Sequence, residues 1–351
     1  MSIPLQHLTH TIDRLFADNK GLLAMDESST TCNRRFSALG IPVSEKYRRA
    51  WRELIITTPG LNDAIGGVIL HDETVYQSQT NGKTFLHTLA DAGILFGVKV
   101  DQGLRPFALH ADEQITEGLD GLPECLRHYA ALGATFAKWR AVIHIYNGKP
   151  SAACILANAH ALARYAAMCQ EAGLVPVVES EVLMDGAHTI AHCQEISEQV
   201  LRTVFQELNQ QNVLLEGLIL KPNMVLPGAA YPACVELQEV VQASISCLLR
   251  AVPAAVPVIA FLSGGQSGDL ASSRLNAINL FRQDHSLPWK LTFSFARAIQ
   301  YPALNIWRGV PDKVEDAQDA LYRRALDNQL ACRSQYVDTG IFADADVAVN
   351  Q

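Results

Sequence analysis

The amino-acid sequence predicts an α/β protein of the (β/α)8 (TIM) barrel class. Three observations lead to this prediction: eight short apolar runs have strand character, helix-like segments separate them, and polar side chains follow where the runs end. Near-continuous apolar strands that alternate with helices are typical of a parallel sheet covered on both faces. Because eight such units close a barrel, we expect a single barrel domain across residues 1–351.

The predicted strands follow one another at regular intervals along the chain. In order they are GLLAMD (21–26), IGGVILHDE (65–73), LFGVKVD (95–101), ATFAKWRAVI (134–143), LVPVVESE (174–181), LEGLILKPN (215–223), VPVIAFLSGG (256–265) and KLTFSFAR (290–297). The intervening segments have helical periodicity, as in residues 151–173 and 190–211. An open doubly wound sheet is the main alternative, but no GxGxxG or GxxxxGK[ST] motif follows any of these strands.

Composition and charge narrow the class of protein. Hydrophobic residues make up 49% of the chain and charged residues 18%, which is typical of a compact globular protein. The net charge of −8 argues against nucleic-acid binding. The mixed-charge run EKYRRAWRE at 45–53 predicts a helix with a solvated face.

The compartment is predicted from the N-terminus, the apolar runs and the cysteines. The N-terminal segment predicts an amphipathic helix and lacks the pattern of a secretory signal. No uninterrupted apolar run reaches membrane-spanning length, so we expect no membrane partner. The eight cysteines form no CxxC pair, which favours free thiols in a reducing, cytoplasmic location.

Charged and polar side chains collect at the carboxyl ends of the predicted strands, where a barrel holds its active site. They are Asp26, Glu73, Lys99, Asp101, Lys138, Arg140, Glu179, Glu181, Lys221, Ser263 and Arg297. Any one of them is explained as a strand cap or a structural ion pair. Several acids and bases at one mouth are costly to bury unless they compensate one another, and this convergence indicates catalysis.

Lys221 has the most apolar setting of the strand-end lysines, because it follows the run LIL and precedes Pro222. An amine becomes nucleophilic when apolar surroundings or a second cation, such as Lys138, lower its pKa. Glu179 could carry protons for such an amine. A lysine nucleophile with a carboxylic acid/base indicates Schiff-base chemistry on a carbonyl substrate.

Two basic features predict anion binding at the mouth. The turn FLSGGQSG after the seventh strand lies next to Arg297 in the following loop, and loops at these positions of a barrel commonly bind phosphate. Arg34 and Arg35 could hold a second phosphate, with a helix-surface charge pair as the alternative. The eleven histidines are scattered, and we expect no metal site and no cofactor.

Nine ordered motifs between about residue 5 and residue 335 resemble those of class I fructose-bisphosphate aldolases. The motifs are GLLAMDES, GGVILHDETVYQ, GVKVDQG, GLDGL, FAKWR, VPVVESE, LKPNM, FLSGGQS and LTFSFARA. The resemblance implies a metal-independent Schiff-base lyase of glycolysis and gluconeogenesis. Such an enzyme reversibly cleaves fructose 1,6-bisphosphate to dihydroxyacetone phosphate and glyceraldehyde 3-phosphate, and family members are usually homotetramers.

The resemblance also implies roles for individual residues. Lys221 corresponds to the Schiff-base lysine, Glu179 to the general acid/base and Glu181 to its supporting carboxylate. Lys138 corresponds to the second active-site lysine, and Asp26 to the residue that acts at the C4 hydroxyl. The C1-phosphate pocket corresponds to Ser263, Gly264, Gly265, Ser294 and Arg297, and the C6-phosphate side to Ser28, Arg35, Lys99 and Arg140.

The sequence departs from the family pattern in its last residues. The small, acidic segment after about residue 337 predicts a mobile tail, and it lacks the terminal tyrosine that reaches the active site in animal-type enzymes. The preference between bisphosphate and monophosphate therefore stays open. Two alternatives remain: another Schiff-base barrel aldolase that acts on a monophosphorylated sugar, and a non-catalytic or moonlighting binding scaffold.

Overall fold

The protein is a closed eight-stranded parallel barrel with helices around it, as the sequence predicts. The structure is a computed structural model that describes residues 5–146 and 148–338. Its strands are β1 (Gly21–Met25), β2 (Ile65–Leu70), β3 (Leu95–Lys99), β4 (Leu104–Pro106), β5 (Gln114–Thr116), β6 (Phe136–Ile143), β7 (Val175–Val182), β8 (Ile219–Pro222), β9 (Val258–Phe261) and β10 (Lys290–Phe295). The order around the barrel is β1-β10-β9-β8-β7-β6-β3-β2.

Twelve α-helices of the described residues surround the barrel, and all of them except α1 come after β1 in the chain. They are α1 (Leu5–Leu15), α2 (Ser29–Ala38), α3 (Glu45–Ile56), α4 (Asp72–Val75), α5 (Phe85–Asp91), α6 (Leu122–Ala131), α7 (Ala152–Glu171), α8 (Ile190–Gln210), α9 (Leu237–Ala251), α10 (Gly268–Asp284), α11 (Arg297–Trp307) and α12 (Val314–Cys332). The periodic segments 151–173 and 190–211 form α7 and α8, as predicted. None of the helices in the described part of the chain is long and apolar enough to cross a membrane.

Serine and threonine caps fix where many of these helices begin. A side-chain oxygen of each cap accepts a hydrogen bond from the backbone N–H three residues later, which satisfies a donor that the first helical turn leaves free. The caps are Ser28 of α2, Ser44 of α3, Thr84 of α5, Ser151 of α7, Thr189 of α8 and Ser267 of α10. The caps at 28 and 267 end the loops that follow β1 and β9, so they fix the geometry of two loops at the carboxyl end of the barrel.

One pair of short strands lies outside the barrel. β4 and β5 form an antiparallel hairpin between β3 and α6. No pattern in the sequence predicts this hairpin, because each strand has only three residues and three residues are too few to display an alternating pattern.

Apolar side chains fill the lower part of the barrel, and α1 closes its amino-terminal end. Leu8 and Ile12 of α1 belong to one buried cluster with interior residues such as Phe136, Val177 and Ile219. These side chains alternate along their strands with residues that face the surrounding helices. The predicted amphipathic first helix is thus confirmed, and its apolar face covers the bottom of the barrel.

Two glycines make room for this packing. A Cβ atom at Gly97 on β3 would overlap the ring of Phe136, and a Cβ atom at Gly66 on β2 would overlap the carbonyl group of Leu15. Any side chain at these positions would therefore push the ring or α1 out of place. With apolar side chains filling this end, the strand-end residues predicted from the sequence lie at the opposite, carboxyl end of the barrel.

The described chain ends at residue 338. The tail predicted to be mobile from about 337 lies almost entirely outside the described residues, and only Val337 and Asp338 belong to them. Both of these residues are exposed. All eight cysteines lie within the described residues, and none of them is disulfide-bonded.

Candidate active site

Strand register brings the predicted catalytic side chains together at the carboxyl end of the barrel. Lys99 on β3 pairs in register with Lys138 on β6. Two residues further along β6, Arg140 pairs with Glu179 on β7, and Glu179 pairs with Lys221 on β8. Side chains two residues apart on a strand point to the same face. These five residues therefore lie on one face of four neighbouring strands, at two successive levels.

Four of these side chains form a buried group that we call the lysine–carboxylate cluster: Asp26, Lys138, Glu179 and Lys221. Lys138 Nζ lies 2.8 Å from Asp26 Oδ2 and 2.9 Å from Glu179 Oε2. Lys221 Nζ lies 3.2 Å from Glu179 Oε1. Each of the four is at most 8% exposed. Lys138 thus has two carboxylate partners, whereas Lys221 shares one carboxylate with Lys138.

This difference in pairing separates the two lysines chemically. Burial lowers the pKa of Lys221; Glu179 opposes the shift, Lys138 adds to it, and the pKa is lowered overall. Burial also disfavours the charged form of Lys138, but Asp26 and Glu179 outweigh it and raise the pKa of that lysine. Lys221 is therefore the amine that more readily becomes neutral and nucleophilic, while Lys138 stays a cation.

The two carboxyl groups of the cluster are held in the ionised form. Burial acts to raise the pKa of Asp26, but the charges of Lys138 and Lys221 outweigh it and lower the pKa overall. Burial acts in the same direction on Glu179, and the same two lysines lower the pKa of that group as well. Both carboxylates can therefore accept a proton from a neighbouring group.

The predicted cations of the C6-phosphate side are all paired with carboxylates. The pairs are Lys99 with Asp101 at 2.6 Å, Arg140 with Glu181 at 2.5 Å, and Arg35 with Glu27 at 2.5 Å. Glu181 thus contacts Arg140, and its role as a support for Glu179 stays a prediction. Ser28, the fourth predicted residue of this side, accepts a hydrogen bond from the backbone of Thr31 as the cap of α2. An anion on this side has to share these cations with protein carboxylates.

The predicted C1-phosphate side has free binding capacity. Gly264 and Gly265 have φ angles of 57° and 89°, which favour glycine, and they follow Ser263 in a tight turn. A Cβ atom at Gly265 would lie 3.3 Å from Nη2 of Arg297, so that guanidinium group lies directly over the turn. Within the described residues, Arg297 forms no ion pair, and the buried hydroxyl group of Ser294 has no hydrogen-bond partner. This combination suits an anion.

Glu27, whose side chain is only 7% exposed, belongs to the site although it is not among the residues predicted from the sequence. Its carboxylate binds Arg35, Arg52 at 2.8 Å and Gln300 at 2.9 Å. Arg52 is only 3% exposed, so the prediction that its run forms a solvated helix face is wrong at this position. Arg52 belongs to α3, so this helix packs against the site through that side chain. Its charge compensates the carboxylate of Glu27, which lies next to Asp26 in the chain. The sequence does contain a signal for Glu27: it is a second acidic residue directly after Asp26, the aspartate at the end of β1.

Glu73 belongs to a structural ion pair. Its carboxylate accepts hydrogen bonds from Arg48 at 2.6 and 2.8 Å and from Ser29 at 3.4 Å. These contacts tie α4, which follows β2, to α2 and α3. Among the strand-end residues, this one therefore follows the structural alternative. Within residues 5–146 and 148–338, no group of three or more His, Cys, Asp or Glu side chains is arranged to hold a metal ion.

The chain matches a known protein family over nearly its whole length. The sequence profile described as fructose-bisphosphate aldolase class-I matches residues 7–349, which is nearly the whole chain. The chain belongs to the class I fructose-bisphosphate aldolase family. The family predicted from the nine motifs is thereby confirmed.

Relatives of this class I aldolase come from distant organisms. A protein of Xanthomonas campestris pv. campestris named "Probable fructose-bisphosphate aldolase class 1" is 47% identical over 333 residues, which cover 95% of this chain and 99% of that protein. Human fructose-bisphosphate aldolase C is 46% identical over 328 residues, covering 93% and 90%. The aldolase of Plasmodium falciparum, solved as a ternary complex with TRAP and a small-molecule inhibitor, has a TM-score of 0.93 at 41% identity and covers 95% and 96%.

Proposed function

We propose that this class I aldolase reversibly cleaves fructose 1,6-bisphosphate through a Schiff base on Lys221, as a lyase of glycolysis and gluconeogenesis. The observation that carries the proposal is the asymmetry of the lysine–carboxylate cluster. Lys221 is buried at the end of β8, has a lowered pKa and touches one side of Glu179, while Lys138 holds the other side of that carboxylate. Family membership supports the same reaction.

Imine formation is assigned to Lys221 and Glu179. Glu179 lies 3.2 Å from Lys221 and takes a proton from its ammonium group, which leaves a neutral amine. The amine nitrogen attacks the C2 ketone and forms a carbinolamine. Glu179 returns a proton to the C2 hydroxyl group, which leaves as water, and the nitrogen then carries a protonated imine.

Carbon–carbon cleavage is assigned to Asp26. This carboxylate is ionised and is held by a hydrogen bond of 2.8 Å from Lys138, so it can take the proton of the C4 hydroxyl group. The C4 oxygen then forms a carbonyl group, the C3–C4 bond breaks, and its electron pair moves into the imine to give an enamine. Glyceraldehyde 3-phosphate departs. Protonation of C3 and hydrolysis of the imine release dihydroxyacetone phosphate and restore Lys221.

Both phosphate groups of the substrate supply binding energy that aligns the reacting carbons. The turn at 263–265 with Ser294 and Arg297 is assigned to the C1 phosphate. Ser28, Arg35, Lys99 and Arg140 are assigned to the C6 phosphate, where Glu181 orients Arg140 through their 2.5 Å contact. No cofactor takes part, because the protonated imine itself serves as the electron sink.

The proposal is tested by measuring triose phosphate release from purified protein. We expect turnover of fructose 1,6-bisphosphate to exceed that of fructose 1-phosphate and of other monophosphorylated sugars, with no loss after treatment with EDTA. A preference for a monophosphate would favour the alternative aldolase, and no turnover on any phosphosugar would favour the binding scaffold. A chelator-sensitive activity that zinc restores would contradict the Schiff-base mechanism.

Arg297→Ala is expected to raise KM for fructose 1,6-bisphosphate by about 10- to 100-fold, which corresponds to the loss of a charge-assisted contact worth about 1.5–3 kcal/mol. The reason is that Arg297 lies over the glycine turn and has no carboxylate partner among the residues that the structure describes. Steady-state kinetics measure the effect. Arg323→Ala, an exposed position on α12, is the matched control and should leave KM unchanged. An equal rise in the control, or no rise in Arg297→Ala, would contradict the assignment.

Assembly into a homotetramer is part of the proposal on the strength of the family, and a cytoplasmic location is part of it on the strength of the free cysteines. Light scattering of the purified protein tests the first expectation. Fractionation of cells that produce the protein tests the second. A monomer in dilute solution would contradict the tetramer without affecting the assignment of the reaction.

A further inference from the structure

The proposed C1-phosphate pocket has two walls that come from different strands. One wall is the turn at 263–265 after β9, and the other is the segment 294–297 at the end of β10. Each wall leads directly into a helix, α10 or α11. The guanidinium group of Arg297 lies over Gly265, so the distance between the two walls sets the width of the pocket. That width depends on how the first turn of α10 is held against the first turn of α11.

Arg324 on α12 connects these two helical turns. Its side chain is 0% exposed. Nη1 donates a hydrogen bond to Asp269 Oδ1 at 2.7 Å and Nη2 donates to Ser272 Oγ at 2.8 Å, and both acceptors lie on α10. Nε donates to the carbonyl oxygen of Ala298 at 3.3 Å, and this residue directly follows Arg297 in α11. One planar cation therefore joins the helices that carry both walls.

Gly268, the first residue of α10, allows this close approach. A Cβ atom at this position would lie 2.9 Å from Nη2 of Arg324 and 2.8 Å from the carbonyl oxygen of Ala298. Real Cβ atoms avoid such distances, so any side chain would push α10 away from α11. The start of α10 is thus packed directly against the connecting guanidinium group.

The hydrogen bonds that Arg324 donates indicate that it does more than neutralise a carboxylate. Arg324 already has Asp327 as a partner on its own helix, at 3.1 Å. Its other donors reach outward to α10 and α11. A guanidinium group offers five N–H donors in a fixed plane, whereas a lysine offers a single point of charge. Only arginine can therefore hold both helices at a defined spacing from this position.

Tyr336 joins the same network from the segment that follows α12. Its hydroxyl group donates to Asp269 Oδ1 at 3.3 Å, and its backbone N–H donates to Asn276 Oδ1 at 3.0 Å. Burial and the charge of Asp269 raise the pKa of Tyr336 to about 12, so the phenol keeps its proton at neutral pH. The oxygen that accepts from Arg324 is thus also oriented from a second direction.

We propose that Arg324 is a positioning residue that sets the width of the C1-phosphate pocket by holding the start of α10 against the start of α11. Asp269 and Tyr336 complete the connection. The inference rests on the proposed function, because it requires that the substrate phosphate binds between the turn at 263–265 and Arg297. It adds a residue that touches neither the substrate nor the lysine–carboxylate cluster.

Arg324→Lys tests this proposal because it keeps the charge and removes the planar set of donors. We expect KM for fructose 1,6-bisphosphate and the inhibition constant of inorganic phosphate each to rise about tenfold. Because Lys221 and Glu179 lie on β8 and β7, outside the network, kcat should change by less than about threefold. Steady-state kinetics with and without inorganic phosphate give all three quantities.

Gln170→Met is the matched control at the opposite end of the barrel. Gln170 is 8% exposed and makes hydrogen bonds of 2.8 and 2.9 Å with the backbone of Leu214, so this variant loses stability without touching the pocket. Its KM and phosphate inhibition should equal those of the wild type. A KM as high as that of Arg324→Lys would show that general loosening explains the effect and would overturn the proposal.

Asp269→Asn is the second variant, and it decides the question if Arg324→Lys does not fold. It weakens the same connection from the α10 side and should raise KM and the inhibition constant in the same ratio. An active wild type with unchanged values in the folded variants would overturn the role of Arg324. A wild type that does not cleave the bisphosphate would instead overturn the proposed function, so the two failures are distinguishable.

Discussion

Lys221→Met is expected to lower kcat for cleavage of fructose 1,6-bisphosphate by about 10⁴-fold or more, because it removes the nucleophile of a covalent mechanism. Methionine has a similar length and is apolar, and it fits a site that is only 3% exposed. It also leaves the carboxylate of Glu179 with Lys138 as a partner. A large loss of activity in a folded variant would therefore report on chemistry and not on stability.

Borohydride trapping identifies the atom that forms the bond. Dihydroxyacetone phosphate and borohydride should attach the ligand to Lys221 in the wild type, and peptide mapping locates it. The Lys221→Met variant should remain unlabelled, and Lys313→Met, an exposed position before α12, should be labelled like the wild type. Label on Lys138 or Lys99 would mean that the nucleophile is assigned to the wrong lysine.

Asp26→Asn and Glu179→Gln are expected to fail at different steps. Each substitution should lower kcat by about 10²- to 10⁴-fold, the range for loss of a general acid or base. Asp26→Asn should still form the imine, because Lys221 and Glu179 remain in contact. Glu179→Gln should form and hydrolyse the imine slowly, because the carboxylate that forms the 3.2 Å ion pair with Lys221 is then lost. The rate of borohydride trapping and the rate of triose release measure the two steps separately.

Comparing the two variants tests which carboxylate acts in imine formation and which acts in carbon–carbon cleavage. Normal trapping in Glu179→Gln together with abolished trapping in Asp26→Asn would reverse the roles. Glu198→Gln is a matched control, because this carboxylate is also buried and paired with arginines but lies on α8. It should keep wild-type trapping and turnover. A comparable loss in this control would indicate that any buried carboxylate substitution disturbs the barrel.

The sequence predicts much of the fold because the signals are local. A buried parallel strand needs a run of apolar residues, and all eight barrel strands display one between turn residues or caps. Lys221 is visible for the same reason: a charged group at the end of such a run conflicts with burial unless it has a function. Residues at the carboxyl ends of different strands can then be expected to lie close together, because the carboxyl ends of parallel strands meet at the same end of the barrel.

Other parts of the site depend on how distant segments dock, and no local pattern reports it. Arg52 looks like any charge on a helix surface, and only the docking of α3 turns it toward Glu27. Arg324 is equally inconspicuous on α12, although it is completely buried between α10 and α11. Helical periodicity indicates which residues share a face, but it cannot indicate which of several charges has a partner across an interface.

The closure of the amino-terminal end of the barrel by α1 affects how the chain folds during synthesis. α1 is made before any strand, yet its buried residues Leu8 and Ile12 pack with Ile219 on β8 and Val258 on β9. The apolar face of this helix can therefore make its native contacts only after most of the chain has been translated. Contacts between residues so far apart in the sequence form slowly. During that interval the apolar face of α1 remains exposed on the nascent chain, and transiently exposed apolar surface of this kind promotes aggregation.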